Sequence, residues 1–391
     1  MKNKKNCPEC DSSKIKLISY MGIKCVICNE CGFDESKQYE VFPEENKSQK
    51  AKGSYSPYKS GGLRRTKNNN KKYYKLKNKI IKGIKMELMV AKHAGFCFGV
   101  KKAIEIAEKT AEKNKDEKIY VYGQLVHNER VIDDLQKKGI EFVEKIEDIP
   151  ENSVTVLRAH GEPGTTYQEL KQKNIVKDGK LNDATCPLVT LVHNVAIKLK
   201  NNGYEVIIFG KRDHPESIGT SYHIKGKDTF IVEHSEDANF VIEHIKKNNF
   251  SKVAIISQTT MSVSGYKELI ENINKIYVNK FEELYLSMKD MDKNFVFVDT
   301  ICNPTKQRQS DTEDIAKKAD IMIVIGGKDS SNSKELAAKS EELGVETYYI
   351  QTSDQVKKEW FEGKDHIGVT AGASTPQNLI DEIVTKIKAM C

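Results

Sequence analysis

From Met86 onward, short apolar runs alternate with longer segments in which apolar residues recur every three or four positions. Leu88 to Ala91 suits a buried strand, and after it Val100, Ala103, Ile104 and Ala107 fall at the i, i+3, i+4, i+7 spacing of one helix face. Apolar runs predict further strands over 119–122, 154–157, 206–209, 229–232, 253–257, 295–298, 321–325, 347–350 and 367–370. Amphipathic segments at 128–138, 188–200, 263–277 and 333–343 fill intervals between them. This alternation predicts an α/β fold of parallel sheets with covering helices, in which ligand sites collect at the carboxyl ends of strands. Before Met86 the pattern changes: Ile15, Leu17, Ile18 and Tyr20 are strand-like, and from Asn46 to Lys85 too few apolar residues occur to fill a core.

Three cysteines stand at strand-to-helix turns of the long α/β region. Cys97 lies in Ala94-Gly95-Phe96-Cys97-Phe98-Gly99-Val100, Cys186 precedes Pro187 and a helical run, and Cys302 precedes Asn303-Pro304. Both prolines suit a first helical turn. Any one of these thiols alone reads as a small buried hydrophobe. Three cannot pair among themselves as disulfides, so a shared metal centre explains their repeated placement better. Three thiolates leave one coordination position open, either on a catalytic zinc or on one iron of an iron–sulfur cluster.

Other polar groups occupy the neighbouring turns. His127 follows one predicted strand, His160 the next, and His214-Pro215-Glu216 the strand after Gly203, with Gln258-Thr259-Thr260 following another. The last turns, 326–333 with Ser330, Ser331 and Asn332, and 371–376 with Ser374, are small, hydroxyl-rich loops that open helices, where free N–H groups attract phosphate. Neither is a Walker A loop or a G-x-G-x-x-G turn, so nucleotide hydrolysis and dinucleotide redox chemistry are disfavoured.

Charge divides the 391-residue chain. Residues 1–85 hold 21 Lys+Arg against 8 Asp+Glu, whereas the rest hold 42 against 48, so the overall +7 comes from the first part. Cys7-Pro8-Glu9-Cys10 and Cys28-Asn29-Glu30-Cys31 are two C-x-x-C knuckles at the spacing of a four-thiolate structural zinc site. Cys25 opens a second register, Cys25-Val26-Ile27-Cys28; Gly32 after Cys31 favours Cys28 and Cys31 as ligands. We therefore expect a zinc-ribbon-like unit over 1–42, a basic flexible linker over 43–85, and the α/β region over 86–391. The basic stretch, with Tyr55, Tyr58, Tyr73 and Tyr74, suits contact with nucleic acid or the ribosome. No apolar run reaches the length of a membrane span and no secretory signal opens the chain, so no membrane contact and a cytoplasmic location are expected.

Residues 86–391 closely resemble the 4-hydroxy-3-methylbut-2-enyl diphosphate reductases. The resemblance is carried, in order, by the Cys97 segment, Val126-His127-Asn128, Arg158-Ala159-His160-Gly161, Asp183-Ala184-Thr185-Cys186-Pro187, Gly210-Lys211-Arg212-Asp213-His214-Pro215-Glu216, Gln258-Thr259-Thr260, Thr300-Ile301-Cys302 through Gln309, Ser330-Ser331-Asn332-Ser333 and Ala371-Gly372-Ala373-Ser374. It implies a trefoil of three α/β lobes around a central 4Fe–4S cluster held by Cys97, Cys186 and Cys302, with one iron left for the substrate. It further implies a diphosphate bound by His127, His160, Ser330, Ser331, Asn332 and Ser374, with His214 and Thr259 near the hydroxyl and Glu216 as proton donor. The implied reaction is reductive removal of that hydroxyl, the last step of the methylerythritol phosphate route to isoprenoids, with a ferredoxin or flavodoxin as electron donor. Residues 1–85 fall outside the resemblance. Their ribbon and basic arm favour the alternative, a cluster-based sensor or nucleic-acid-binding regulator.

Overall fold

The apolar runs over 154–157, 206–209, 253–257 and 321–325 become strands that are buried along their whole length, because helices cover both faces of parallel sheets. The computed structural model describes residues 6–7, 12–20, 23–31, 86–173, 181–284 and 293–390. The expected linker (43–85) and Cys10 lie outside the described residues. An antiparallel hairpin comes first: β1 (Ile15–Tyr20) pairs with β2 (Ile23–Cys28), setting Ile15 against Cys28 and Ile18 against Cys25.

The other described strands form three parallel sheets. One begins with β3 (Glu87–Val90), from which α1 (Phe98–Lys113) departs. The next contains β4 (Ile119–Tyr122), α2 (Glu129–Gln136), β5 (Ile140–Val143), β6 (Val154–Leu157), α3 (Gly164–Gln172) and β7 (Asn182–Asp183), in strand order β5-β4-β6-β7. After α4 (Pro187–Asn201) come β8 (Glu205–Phe209), α5 (Pro215–Tyr222), β9 (Ile231–Val232), α6 (Ala238–Asn248), β10 (Val253–Ser257), α7 (Val263–Ile276), β11 (Glu282–Glu283) and β12 (Phe295–Val298). Their order is β11-β12-β10-β8-β9. Finally α8 (Asn303–Ala316) returns the chain to the first sheet, where β13 (Ile321–Ile325), α9 (Ser331–Glu342), β14 (Glu346–Ile350), β15 (His366–Ala371) and α10 (Gln377–Met390) complete the order β14-β13-β15-β3.

Three helices carry the chain from one sheet to the next. Ala103 and Ala107 of α1 share a core with Ile119, Val121, Ile140 and Val156 of the second sheet. Leu191, Val195 and Leu199 of α4 pack with Val206, Ile208, Ala254 and Val298 of the third. Thr312 of α8 meets Thr370 of β15 in a 2.9 Å hydroxyl hydrogen bond, on the first sheet again. Each crossover helix starts just after one of the three cysteines, so the thiols mark the points where the chain changes sheets.

Two differences from expectation have simple causes. The strand expected over 229–232 is reduced to β9, and β5 is an edge strand whose apolar run is interrupted by the exposed Glu141. The length of α8 is equally invisible to hydrophobic periodicity, since its buried face is Thr305, Arg308, Gln309, Thr312 and Ala316. No helix among the described residues is long and apolar enough to cross a membrane.

Candidate active site

All three cysteines are helix N-caps. Cys97 caps α1, its sulfur accepting from the Val100 N–H at 3.5 Å; Cys186 caps α4; and Cys302 caps α8. Their backbones are tied to other turns of the site: the Cys97 N–H donates to Ala373, that of Cys186 to Ala159, and that of Cys302 to Thr259. Free N–H groups and helix dipoles at such positions favour negative charge on sulfur. Burial works the other way, pushing the Cys302 thiol up to about 11 and raising that of Cys186 further. A bound cationic centre reverses that balance by taking the thiolates as ligands.

Spacing bears on the two metal readings left open by sequence. A tetrahedral zinc with sulfur at about 2.3 Å draws its ligands to within about 4 Å of one another. Cys7, Cys28 and Cys31 have ligand atoms all within 4.8 Å, and their group and the histidine group below are the ones so gathered among the described residues. Cys97, Cys186 and Cys302 are not, although they face one another closely enough that charge on Cys97 acts on both partners. That wider triangle leaves room for a multinuclear cluster. Gly99 makes the approach possible: a Cβ there would stand 2.3 Å from the Cys186 sulfur and 3.9 Å from that of Cys97.

The three expected histidines converge. The rings of His127 and His160 stack at 4.1 Å, and His214 stands edge-on to both, at 5.4 and 5.5 Å. Burial, first of all, holds them neutral: His127 is lowered to about 4 and His214 to about 3, and His160 falls well below its usual range. His214 Nδ1 accepts from the Glu216 N–H at 3.1 Å, which assigns its proton to Nε2. Gln124 holds His127 Nδ1 at 3.0 Å, and its amide can take either role. Arg158 acts on all three histidines, Lys211 on His214 and Lys334 on His127, where Asp329 opposes the cations; around His160 and His214 the fixed side-chain charges are positive and favour an anion over a cation.

The loop of 326–333 approaches from the first sheet. Gly327 touches the His127 backbone, since a Cβ there would lie 2.4 Å from the His127 carbonyl oxygen. Ser330 caps α9, with its Oγ accepting from the Ser333 N–H at 3.3 Å. Ser331 Oγ and both amide atoms of Asn332 are buried without partners, as are His127 Nε2 and His160 Nδ1. Ser374 Oγ donates to the His127 carbonyl at 3.0 Å. Buried polar atoms cost free energy unless paired, so this shared set of unmet groups is the imprint of a polar ligand.

Glu216, on the first turn of α5, is fully enclosed. Its carboxylate accepts from the Thr259 N–H and the Thr259 hydroxyl, both at 2.7 Å. Burial outweighs those two hydrogen bonds and pushes its carboxyl up to about 7. Thus the expected Cys, His, Ser, Asn, Thr and Glu residues of 86–391 assemble around one space. Three supporting residues escaped the sequence reading as separate actors: Gln258, whose side-chain oxygen accepts from Lys211 N–H and Ser217 Oγ–H at 3.0 and 3.1 Å; Gln124; and Arg308, buried beside the thiols. Gln258 and Arg308 stand within the motif segments, but a supporting role has no spacing of its own to reveal it.

The sequence profile described as LytB protein matches residues 88–388. The chain is 36% identical over 309 residues to the 4-hydroxy-3-methylbut-2-enyl diphosphate reductase of Caldanaerobacter subterraneus subsp. tengcongensis, covering 78% of this chain and 98% of that protein. It is 39% identical over 307 residues to the enzyme of the same name from Campylobacter hominis, covering 78% and 100%. Among solved structures, the E-1-hydroxy-2-methyl-but-2-enyl-4-diphosphate reductase from Plasmodium falciparum superposes with a TM-score of 0.66 at 28% identity, covering 77% of this chain and 87% of that one. With the profile spanning most of the chain and relatives matched nearly end to end, the chain belongs to the LytB protein family.

Proposed function

We propose that residues 86–391 reduce 4-hydroxy-3-methylbut-2-enyl diphosphate to isopentenyl and dimethylallyl diphosphates, the last step of the methylerythritol phosphate route. The observation that carries this is the set of unmet buried atoms on His127, His160, Ser331 and Asn332, gathered at a helix start beside three thiols and a carboxyl raised by burial to about 7. The balance is a C–O bond broken, two electrons and two protons taken up, and one water released. Cys97, Cys186 and Cys302 would hold a 4Fe–4S cluster, which when bound would supply electrons singly and Lewis acidity toward the leaving oxygen. His127, His160, Ser330, Ser331, Asn332 and Ser374 bind the diphosphate, using neutral N–H and O–H donors near Arg158 and Lys334. His214 and Thr259 flank the substrate hydroxyl. Hydroxide is a poor leaving group, and Glu216, whose burial raises its carboxyl to about 7 and so keeps a proton on part of the molecules at neutral pH, hands it a proton. The direct test is anaerobic turnover by cluster-loaded protein with a strong one-electron reductant. Both five-carbon products are expected, and their absence overturns the assignment. A ferredoxin or flavodoxin is the proposed natural donor.

Asn332 provides a sharper check of the anchoring role. Its contacts last through the reaction, so Asn332→Ala should raise KM by about 10- to 100-fold, the worth of one or two hydrogen bonds to a charged group, with kcat little changed. Because the substitution also deletes two unpaired buried atoms, the ligand-free protein should melt higher than wild type, and thermal scans with and without inorganic diphosphate would separate the two effects.

Residues 1–42 form, in this proposal, a zinc ribbon in which Cys7, Cys28 and Cys31 are joined by Cys10, and 43–85 form a basic tether to the reductase unit. The sulfurs of Cys7 and Cys31 already lie 3.6 Å apart. A chain starting at Met86 should lose one zinc per molecule and keep its iron; metal analysis showing iron lost as well would contradict the division into units. Salt-sensitive retention on single-stranded RNA should disappear with the same truncation, since the cations it removes are the proposed phosphate contacts.

A further inference from the structure

Arg308 is an unusual residue to bury. It lies on the inner face of α8, only 4% exposed. Its two terminal nitrogens donate to carbonyl oxygens, Nη1 to Pro304 at 2.8 Å and Nη2 to Gly95. Its Nε–H is buried with no partner. Neutral carbonyls do not neutralise a guanidinium, which stays charged at any ordinary pH. The negative charges that act on it are, in order, Cys97, Cys302 and Asp311, and the Asp311 carboxylate is already engaged by the His93 N–H at 2.7 Å and its ring at 2.9 Å. The charges that act on Arg308 most strongly are thus those of the thiolate centre, as the sulfurs carry them when they serve as ligands, with Asp311 behind them.

We propose that Arg308 is a positioning residue that sets the reduction potential of the centre held by Cys97, Cys186 and Cys302, keeping it more positive than the thiolates alone would. This rests on the assignment of those three cysteines as iron–sulfur ligands. Adding one electron to a thiolate-bound centre adds one negative charge, and a fixed cation in a dry interior stabilises that charge far more than one in water. Arg308 donates no proton and changes no bond in the process. Its buried Nε–H is a hydrogen-bond donor still without a partner, and outer hydrogen bonds of that kind tune potentials alongside net charge. A second role is built from the same side chain. Through Gly95, and with Asp311 holding His93, α8 clamps the segment leading into Cys97, so that the helix capped by one ligand also fixes the loop carrying another.

Charge and clamp can be told apart by potentiometry on the full chain, reconstituted with iron and sulfide and titrated with dithionite while the cluster signal is followed by electron paramagnetic resonance. Arg308→Met at wild-type iron content should shift the midpoint more negative by about 59 mV or more, a tenfold change in the one-electron equilibrium. Arg308→Lys, which keeps the charge and loses the two-armed clamp, should stay nearer to wild type than to Arg308→Met. An unchanged midpoint in iron-replete Arg308→Met would overturn the proposal and leave Arg308 as a clamp alone. Should that variant fail to retain iron, Arg308→Gln serves in its place: a midpoint equal to that of Arg308→Lys would overturn the proposal, and one more negative would support it. Wild-type protein that forms no iron–sulfur signal on reconstitution would instead remove the underlying assignment.

Discussion

Glu216→Gln should lower turnover by about 10²–10⁴-fold, the usual worth of a positioned general acid, while iron content and affinity for the diphosphate stay close to wild type. The substitution keeps the side-chain shape and removes only the transferable proton. Thr259 holds the carboxylate through its N–H and hydroxyl, both 2.7 Å away, and a glutamine oxygen can accept one of them without displacing α5. The pH dependence carries the same information. Burial raises the Glu216 carboxyl from 4.5 to about 7, so the proton is in place below about pH 7 and is withdrawn above it. Turnover of the wild type should therefore decline as pH rises through that value, and the small residual rate of Glu216→Gln should lack this limb. Stability follows the same sign. A group with a raised folded pKa contributes stability that is complete below 4.5 and lost on the way up to about 7, so Glu216→Gln should gain on wild type at alkaline pH. Near-normal turnover in the variant, with the cluster spectrum intact, would exclude Glu216 as the donor.

Gly99→Ala should be still more damaging for its size. The added methyl would stand 2.3 Å from the Cys186 sulfur and 3.3 Å from the Cys186 Cβ, and both neighbours are anchored. Gly99 is buried on the first turn of α1, and the Cys186 N–H is hydrogen-bonded to Ala159 at 2.9 Å. Overpacking of this kind costs about 1–3 kcal/mol, which the fold can bear. The ligand triangle cannot, because moving one thiol by about 1 Å misplaces the whole centre, with a loss of about 10²-fold or more in rate. The expected result is a folded protein, by circular dichroism, that has lost most of its iron after reconstitution. Full iron content with normal turnover in Gly99→Ala would show that the two turns have room to spare.

Chain pattern alone was enough for the α/β class and most of the strands, because parallel strands covered on both faces are written as uninterrupted apolar runs, as in Val253–Ser257 and Ile321–Ile325. It was enough, too, for the candidate residues: thiols before Pro187 and Pro304 and histidines after strands are local signals, and the resemblance ordered them. Local signals end where side chains meet across sheets. Only the tertiary structure decided that each cysteine-capped helix crosses to the next sheet, which is what brings residues 97, 186 and 302 to a common centre. It also set the spacing of the three sulfurs, wider than that of Cys7, Cys28 and Cys31, since that spacing is a distance between turns far apart in sequence. Glu216 owes its raised carboxyl, and Arg308 its place beside the thiols, to burial by elements remote in the chain. Burial by remote elements is summed over the fold, so the residue types name what can titrate or carry charge and the packing alone sets in which form they do so.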